Sequence, residues 1–269
     1  MSGVAAARDA VMAATESFAA AGCETPRLDA EVLVATAMGI PRLALLGGAD
    51  LELDAVASRQ VMEWVRRRAR REPVAYIVGR KEFRRLELEV DPNVLIPRPE
   101  TELLVEVAAE LADLGARVHD VGTGSGAVAL ALADERPGLR VTASDRSEAA
   151  VEVARRNARR LGLPVEITCA AGLPQGEYDL VVANLPYVRE DEWDGLAPEI
   201  RDYEPRDALV AGADGLDEIR ALVAGVPTGT LLGLEHAPDQ AEEVGGLLVD
   251  AETREDLSKH ARVTIGRAP

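Results

Sequence analysis

The segment Asp120-Val121-Gly122-Thr123-Gly124-Ser125-Gly126 joins a short apolar stretch, Arg117 to Val121, to an Ala- and Leu-rich run from Ser125 to Ala133. Three alternating glycines there call for a strand–turn–helix unit, because glycine lets a backbone turn tightly and approach a ligand where a Cβ would clash. The same alternation continues downstream. Leu139 to Ser144 predicts a strand, and Ser147 can cap a helix that runs to Leu161 and stops at Gly162. Val165 to Thr168, Tyr178 to Ala183 and Thr230 to Glu235 predict further strands. Strands alternating with helices of about ten to fifteen residues imply an α/β fold with a mostly parallel sheet covered on both faces. The last apolar run, Arg262 to Gly266, predicts an added antiparallel edge strand.

Ahead of this region the periodicity differs. Val61, Trp64, Val65 and Ala69 recur at helical spacing with arginines on the other face, and Gly22, Pro26, Gly39-Ile40-Pro41 and Gly47-Gly48 break the first seventy or so residues into short helices. Met1 to Ala21 reads as an amphipathic helix and not as a signal peptide. From Glu82 the period becomes two: Leu86, Leu88 and Val90 alternate with charges, Asp91-Pro92-Asn93 marks a turn, and Val94-Leu95-Ile96 resumes an apolar run, which predicts a hairpin. Pro97-Arg98-Pro99 stops it, and Glu100 to Gly115 predicts a helix.

Composition narrows the possibilities. No apolar run approaches the roughly 18–20 residues that a membrane span needs. A net charge of −17 argues against direct nucleic-acid binding. The charge is uneven, however: residues 66–85 carry nine basic side chains against Glu72 and Glu82. This stretch is either a solvated helix face paired with acidic neighbours or a docking patch for a protein partner. Cys23 and Cys169 match no metal or redox spacing and are expected to be buried free thiols in a cytoplasmic protein. His119, His236 and His260 show no ligand spacing either, so no metal is expected.

The glycine turn alone serves a cofactor or a tight turn. Its neighbours favour the cofactor. Asp120 precedes it, and Asp145 closes the next strand nineteen residues after Gly126. An ammonium can meet the first carboxylate and ribose hydroxyls can donate to the second. S-adenosylmethionine carries both groups, and Asp120, Gly122, Thr123, Gly124, Ser125, Gly126 and Asp145 are its expected contacts.

Asn184-Leu185-Pro186-Tyr187 directly follows the strand ending at Ala183, in a chain with only 3% aromatic residues. Here the chemistry suits a planar nitrogen acceptor. The Asn184 side-chain carbonyl and the Leu185 main-chain carbonyl can accept both N–H bonds of an amide or exocyclic amine. Its lone pair is then aimed at a methyl donor. Pro186 fixes its own φ and pushes Leu185 towards extended geometry. The Tyr187 ring can stack on the acceptor. Asn184 and Tyr187 are therefore the candidate catalytic residues, Asn184 also borders the cofactor, and Asn184, Leu185, Pro186 and Tyr187 form the candidate acceptor site.

With these residues assembled, the chain resembles the protein-(glutamine-N5) methyltransferases. The likeness extends through Arg71-Glu72-Pro73-Val74-Ala75-Tyr76-Ile77-Val78-Gly79, Leu95-Ile96-Pro97-Arg98-Pro99-Glu100-Thr101-Glu102, Tyr203-Glu204-Pro205, Gly212-Ala213-Asp214-Gly215-Leu216 and Leu234-Glu235-His236. The resemblance implies a class I, Rossmann-like methyltransferase domain over residues 99–269. It also implies a helical substrate-recognition domain over 1–73 and a hairpin linker over 74–98. The implied acceptor is the glutamine of a Gly-Gly-Gln loop in peptide chain release factors. Two departures stand out. The family's tetrapeptide is Asn-Pro-Pro-Tyr, whereas position 185 is Leu here, and Cys169-Ala170-Ala171-Gly172 lacks the carboxylate that many members place against adenine. Asn-Leu-Pro-Tyr is the form found in ribosomal-RNA adenine dimethylases. The alternatives are therefore a glutamine methyltransferase of another protein, such as a ribosomal one, and an adenine-N6 methyltransferase of RNA or DNA.

Overall fold

A computed structural model describes residues 5–46 and 51–269. The Gly47-Gly48 break lies outside the described residues. The chain divides into two compact units: Met1–Gly79 with Ala197–Tyr203, and Arg80–Leu196 with Glu204–Pro269.

The first unit begins with β1 (Ala5–Ala6) and α1 (Ala7–Ala20), then α2 (Pro26–Met38), α3 (Arg42–Leu46), β2 (Glu52–Leu53), α4 (Ala55–Ala69) and α5 (Val74–Val78). Each stop and start has a local cause. Pro26 opens α2, Gly39 closes it in the left-handed conformation, and the Asp54 carboxylate caps α4 by accepting from Val56 and Ala57 N–H. Phe18, Leu33 and Ile77 pack together in one small core, while Val34, Leu53 and Val61 form another.

Three arginines of the basic stretch, Arg67, Arg68 and Arg71, are internal structure, whereas Arg66, Arg70, Arg80 and Arg85 are exposed. Arg68 is buried and pairs with Asp29 at 2.8 Å and Glu199 at 2.9 Å; Arg71 also holds Glu199, and Arg67 holds Glu72. Losing either partner of the buried Arg68 pairs would leave an uncompensated charge, so these arginines serve the fold of their own unit.

The second unit contains β3 (Arg80–Phe83), β4 (Leu86–Glu89), α6 (Glu102–Leu111), β5 (Arg117–Val121), α7 (Ala127–Glu135), β6 (Arg140–Asp145), α8 (Glu148–Leu161), β7 (Glu166–Cys169) and β8 (Leu180–Ala183). α9 (Pro198–Arg201) follows and clusters with the first unit; α10 (Asp217–Gly225), β9 (Leu231–Glu235), α11 (Ala241–Gly246), β10 (Val249–Glu255) and β11 (Ala261–Arg267) complete the second. Seven strands form one sheet in the order β10-β11-β9-β8-β5-β6-β7. From β7 to β9 every neighbouring pair is parallel. Leu180-Val181-Val182-Ala183 is buried at every position, as a central strand covered on both faces requires.

Two expectations need correction. β11 pairs antiparallel with both β9 and β10, so it is an interior strand and β10 is the edge. β10 carries no strand signal in the sequence because it is charged and largely exposed, with no apolar face. The hairpin also lies one strand earlier than predicted. β3 pairs with β4 through a tight turn at Arg84-Arg85, and Val94 and Ile96 are buried outside any strand. Arg84 holds a positive φ of 53° without being glycine. Its N–H donates to Glu102, and its guanidinium is gripped by Glu135 and Glu106, which fixes a turn that no sequence signal marks.

Candidate active site

In an open parallel sheet, strands that leave the centre in opposite directions create a crevice at their carboxyl ends. Here the reversal falls between β5 and β8. A cavity of about 720 Å³ opens there, lined wholly by residues of the second unit. Its walls include Asp120, Gly122, Thr123, Gly124, Ser125, Asp145, Asn184, Leu185 and Pro186. Residues separated by up to 66 positions thus converge because each ends or follows a central strand.

Two predicted residues stand apart from the wall. Gly126 begins α7 at φ 87°, and a Cβ there would meet Leu130 Cδ1 at 2.8 Å, so it permits helix packing. Tyr187 is half-buried outside the cavity lining, and its main-chain carbonyl accepts from Gln240 Nε2 at 2.9 Å. Burial pushes the Tyr187 phenol up, so it stays protonated across the ordinary pH range.

Asp120 is almost completely buried, and its Oδ2 accepts from the Thr123 hydroxyl at 2.6 Å and the Ala129 N–H at 3.2 Å. Desolvation pushes its carboxyl up to about 6, and the nearby Asp145 charge adds to that push. Asp145 is held from both sides: Oδ2 accepts from Gly124 N–H at 2.9 Å and Oδ1 from Ser147 N–H at 2.8 Å. These bonds tie the glycine turn to the end of β6 and leave each carboxylate oxygen a second acceptor direction.

The glycines divide their roles. Gly122 has φ 74°, and a Cβ on it would lie 2.8 Å from Leu185 Cδ2. Gly124, at φ 57°, would direct a Cβ into open space. A concave turn of this kind, with two carboxylates on its flanks, fits a ligand that joins an amino-acid end to a ribose. Ala170, Ala171, Gly172 and Leu173 line the wall beyond β7 and contribute no carboxylate. Cys169 proves exposed at the end of β7, contrary to the expected burial, whereas Cys23 is buried. Cys169 is the last residue of β7, the edge strand of the sheet, where cover on its face has ended.

Leu185 is nearly buried and joins the core of Val181, Leu216 and Ile219. Its side chain packs into that core at the cavity wall. Leu185→Ala should therefore lower stability by about 2–3 kcal/mol in denaturant titration while kcat stays within a fewfold. A large kcat loss at unchanged stability would give the side chain a direct role.

Sequence inspection assigned no role to two neighbours of Asn184. Asn184 Nδ2 donates to Thr101 Oγ1 at 2.9 Å, and Thr101 Oγ1 donates to Glu235 Oε1 at 3.2 Å. The available signal was an acidic residue at the end of the otherwise apolar β9. Glu204 is buried, accepts from Ile96 N–H and grips Arg98, fixing the segment that forms one cavity wall. His119 and His236 are buried and held by hydroxyls of Thr142, Ser144 and Thr264. Among the described residues no cluster has the makings of a metal site.

The sheet order and the cavity at its reversal are those of the class I methyltransferase fold. In fold, the chain is similar to the catalytic domain of hMettl16 solved with a MAT2A 3′UTR hairpin, with a TM-score of 0.53 and 13% identity over 66% of this chain and 73% of that one. Residues 9–79 match the PrmC N-terminal domain and residues 99–199 the methyltransferase small domain. The release factor glutamine methyltransferase of Burkholderia pseudomallei is 44% identical, with 90% of this chain and 92% of that one covered. The Pseudomonas aeruginosa protein of the same name is 45% identical at the same coverage. The chain belongs to the release factor glutamine methyltransferase family. It is an enzyme, and its cofactor is S-adenosylmethionine.

Proposed function

We propose that this enzyme methylates the side-chain N5 of the glutamine in the Gly-Gly-Gln loop of a peptide chain release factor. The observation that carries the proposal is the fixed Asn184 amide beside the cavity: with Nδ2 committed to Thr101, Oδ1 is left to face an acceptor. When bound, S-adenosylmethionine supplies an electrophilic methyl on a sulfonium. Asp120 would hold its ammonium and Asp145 its ribose hydroxyls, with Gly122, Thr123, Gly124 and Ser125 forming the cradle.

An amide nitrogen is a poor nucleophile because its lone pair is delocalised. Asn184 Oδ1 and the Leu185 carbonyl would accept its two N–H bonds, hold the nitrogen in line and stabilise the positive charge that grows on it. No base is needed beforehand, since methylation acidifies the nitrogen and the proton leaves afterwards. Pro186 stiffens this arrangement, and Tyr187 is assigned to the flank of the acceptor's plane. The helical unit is assigned to recognition of the protein substrate. A cytoplasmic location belongs to the same proposal, and no described helix is long and apolar enough to cross a membrane.

Label transfer from methyl-labelled cofactor to a purified release factor, and none to its Gln→Ala variant, is the expected result. Equal labelling of both would move the target elsewhere. The second reading, adenine-N6 methylation of RNA or DNA, draws on Leu185 in the acceptor tetrapeptide. Against it stand the net charge of −17 and the engagement of Arg67, Arg68, Arg71 and Arg84 in ion pairs. Labelling of a ribosomal protein but no release factor would favour the remaining alternative.

Asp120 gives the site a pH signature. Only its ionised form pairs with an ammonium, and burial sets its carboxyl at about 6 in the free enzyme. Cofactor affinity should accordingly be level above pH 7 and weaken about tenfold per pH unit well below 6. Asp120→Asn should bind weakly at every pH and lose this dependence. Calorimetry from pH 5 to 8 checks it; a wild-type Kd that does not change over that range would remove Asp120 from the ammonium site.

A further inference from the structure

We propose that Glu235 and Thr101 are positioning residues that set the direction of the Asn184 amide through a one-way hydrogen-bond chain; the proposal rests on Asn184 orienting the acceptor, as above. An ionised carboxylate can only accept. Thr101 must therefore give its single hydroxyl proton to Glu235 Oε1, a bond of 3.2 Å. What remains on Thr101 Oγ1 is acceptor capacity, which Asn184 can meet only with Nδ2, at 2.9 Å. Oδ1 is then forced to the other side. An amide that flips would present N–H to the N–H of the acceptor and repel it.

Stability does not account for a glutamate here. Glu235 is completely buried at the end of β9, and its Oε2 has no hydrogen-bond partner among the described residues. A buried, half-satisfied carboxylate weakens a fold. Arg98 and Arg262 act on it favourably from the segment before α6 and from β11, Glu100 and the half-buried Tyr187 lie within its electrostatic reach, and the ring of the adjacent His236 is held by Thr264 and Ala237. Desolvation nevertheless prevails and pushes its carboxyl up to about 7.

Protonation would remove the direction. A protonated Glu235 can donate to Thr101, whose hydroxyl is then free to donate to Asn184 Oδ1, and both amide orientations become available. Transfer should therefore fall as pH drops through about 7. The raised value has the opposite consequence for folding: the stability linked to this group is complete below the ordinary glutamate range and is lost as pH rises through about 7.

The test uses the full-length enzyme, a release factor and methyl-labelled S-adenosylmethionine, with Thr101→Val, Thr101→Ser, Glu235→Gln and Asn184→Ala variants. Thr101→Val should lower kcat about 10- to 100-fold, with cofactor Kd unchanged, and Thr101→Ser should restore it to within a fewfold. Glu235→Gln should lower kcat about tenfold and abolish the acid limb near pH 7. The same variant should melt about 3–6 °C higher than wild type at pH 8, a gap that closes towards pH 5. Lower activity with higher stability is not what a purely structural residue gives. Wild-type kcat in Thr101→Val beside an inactive Asn184→Ala would overturn this proposal alone. Wild-type kcat in Asn184→Ala would overturn the reading of the acceptor site and the proposal with it.

Discussion

Asn184→Ala is expected to lower kcat for methyl transfer to a release factor by about 100-fold or more while cofactor Kd changes less than about threefold. The magnitude follows the loss of one fixed dipole aimed at developing charge, about 10²–10³ in rate where such groups have been removed. The asymmetry between kcat and Kd follows from geometry. Asn184 sits at the end of β8, its Nδ2 is already committed to Thr101, and the carboxylates assigned to the cofactor lie on β5 and β6. Single-turnover kinetics with calorimetry on the same preparation measures both. A Kd that weakens as much as kcat falls would make Asn184 chiefly a cofactor ligand.

Asp145→Ala should weaken S-adenosylmethionine binding by about 1.5–3 kcal/mol, roughly 10- to 150-fold, the range for hydrogen bonds to a charged group. The Gly124 and Ser147 amides hold the Asp145 carboxylate in one orientation, so its free acceptor directions are pre-set. The substitution also unties Gly124 from β6 and frees the turn to move, which adds to the loss. Asp145→Asn separates the two contributions. It can keep an acceptor for one of the amides but has no charge, and it should fall between wild type and Ala. Calorimetry decides: unchanged affinity in Asp145→Ala would remove that residue from the site.

Much of the fold is legible because its central strands are buried on both faces. Leu180 to Ala183 therefore reads as a short apolar run, and the candidate site residue Asn184 directly follows it. The edge is less legible. β10 is almost entirely exposed and is held by hairpin pairing with the next strand, β11, so it has no apolar face to reveal it. The β3–β4 turn uses Arg84 at positive φ where glycine or asparagine would have announced it. Asp91-Pro92-Asn93, by contrast, carries every mark of a turn, and Asp91 does accept from Asn93 N–H, but it leads into buried coil.

The candidate site divides in the same way. Asp120, Asp145 and Asn184 stand out because each lies at or just past the carboxyl end of a strand, and the glycines between the two aspartates have a backbone reason to be there. Tyr187 and Gly126 share those motifs yet are not part of the cavity lining, since a motif fixes chain position and not what each residue touches. Thr101 and Glu235 lie 134 residues apart, and nothing in either segment announces that the two meet. Their connection needs the strand order, which brings β9 beside β8.

Peptide mapping by mass spectrometry tests the central claim most directly. A release factor and an unmodified RNA are incubated in parallel with the enzyme and methyl-labelled S-adenosylmethionine, and every product is mapped. One methyl group on the side-chain nitrogen of the glutamine in the Gly-Gly-Gln loop, absent when Asn184→Ala replaces the wild-type enzyme, is the result expected here. Label confined to adenine in the RNA, with the glutamine unmodified, would contradict it.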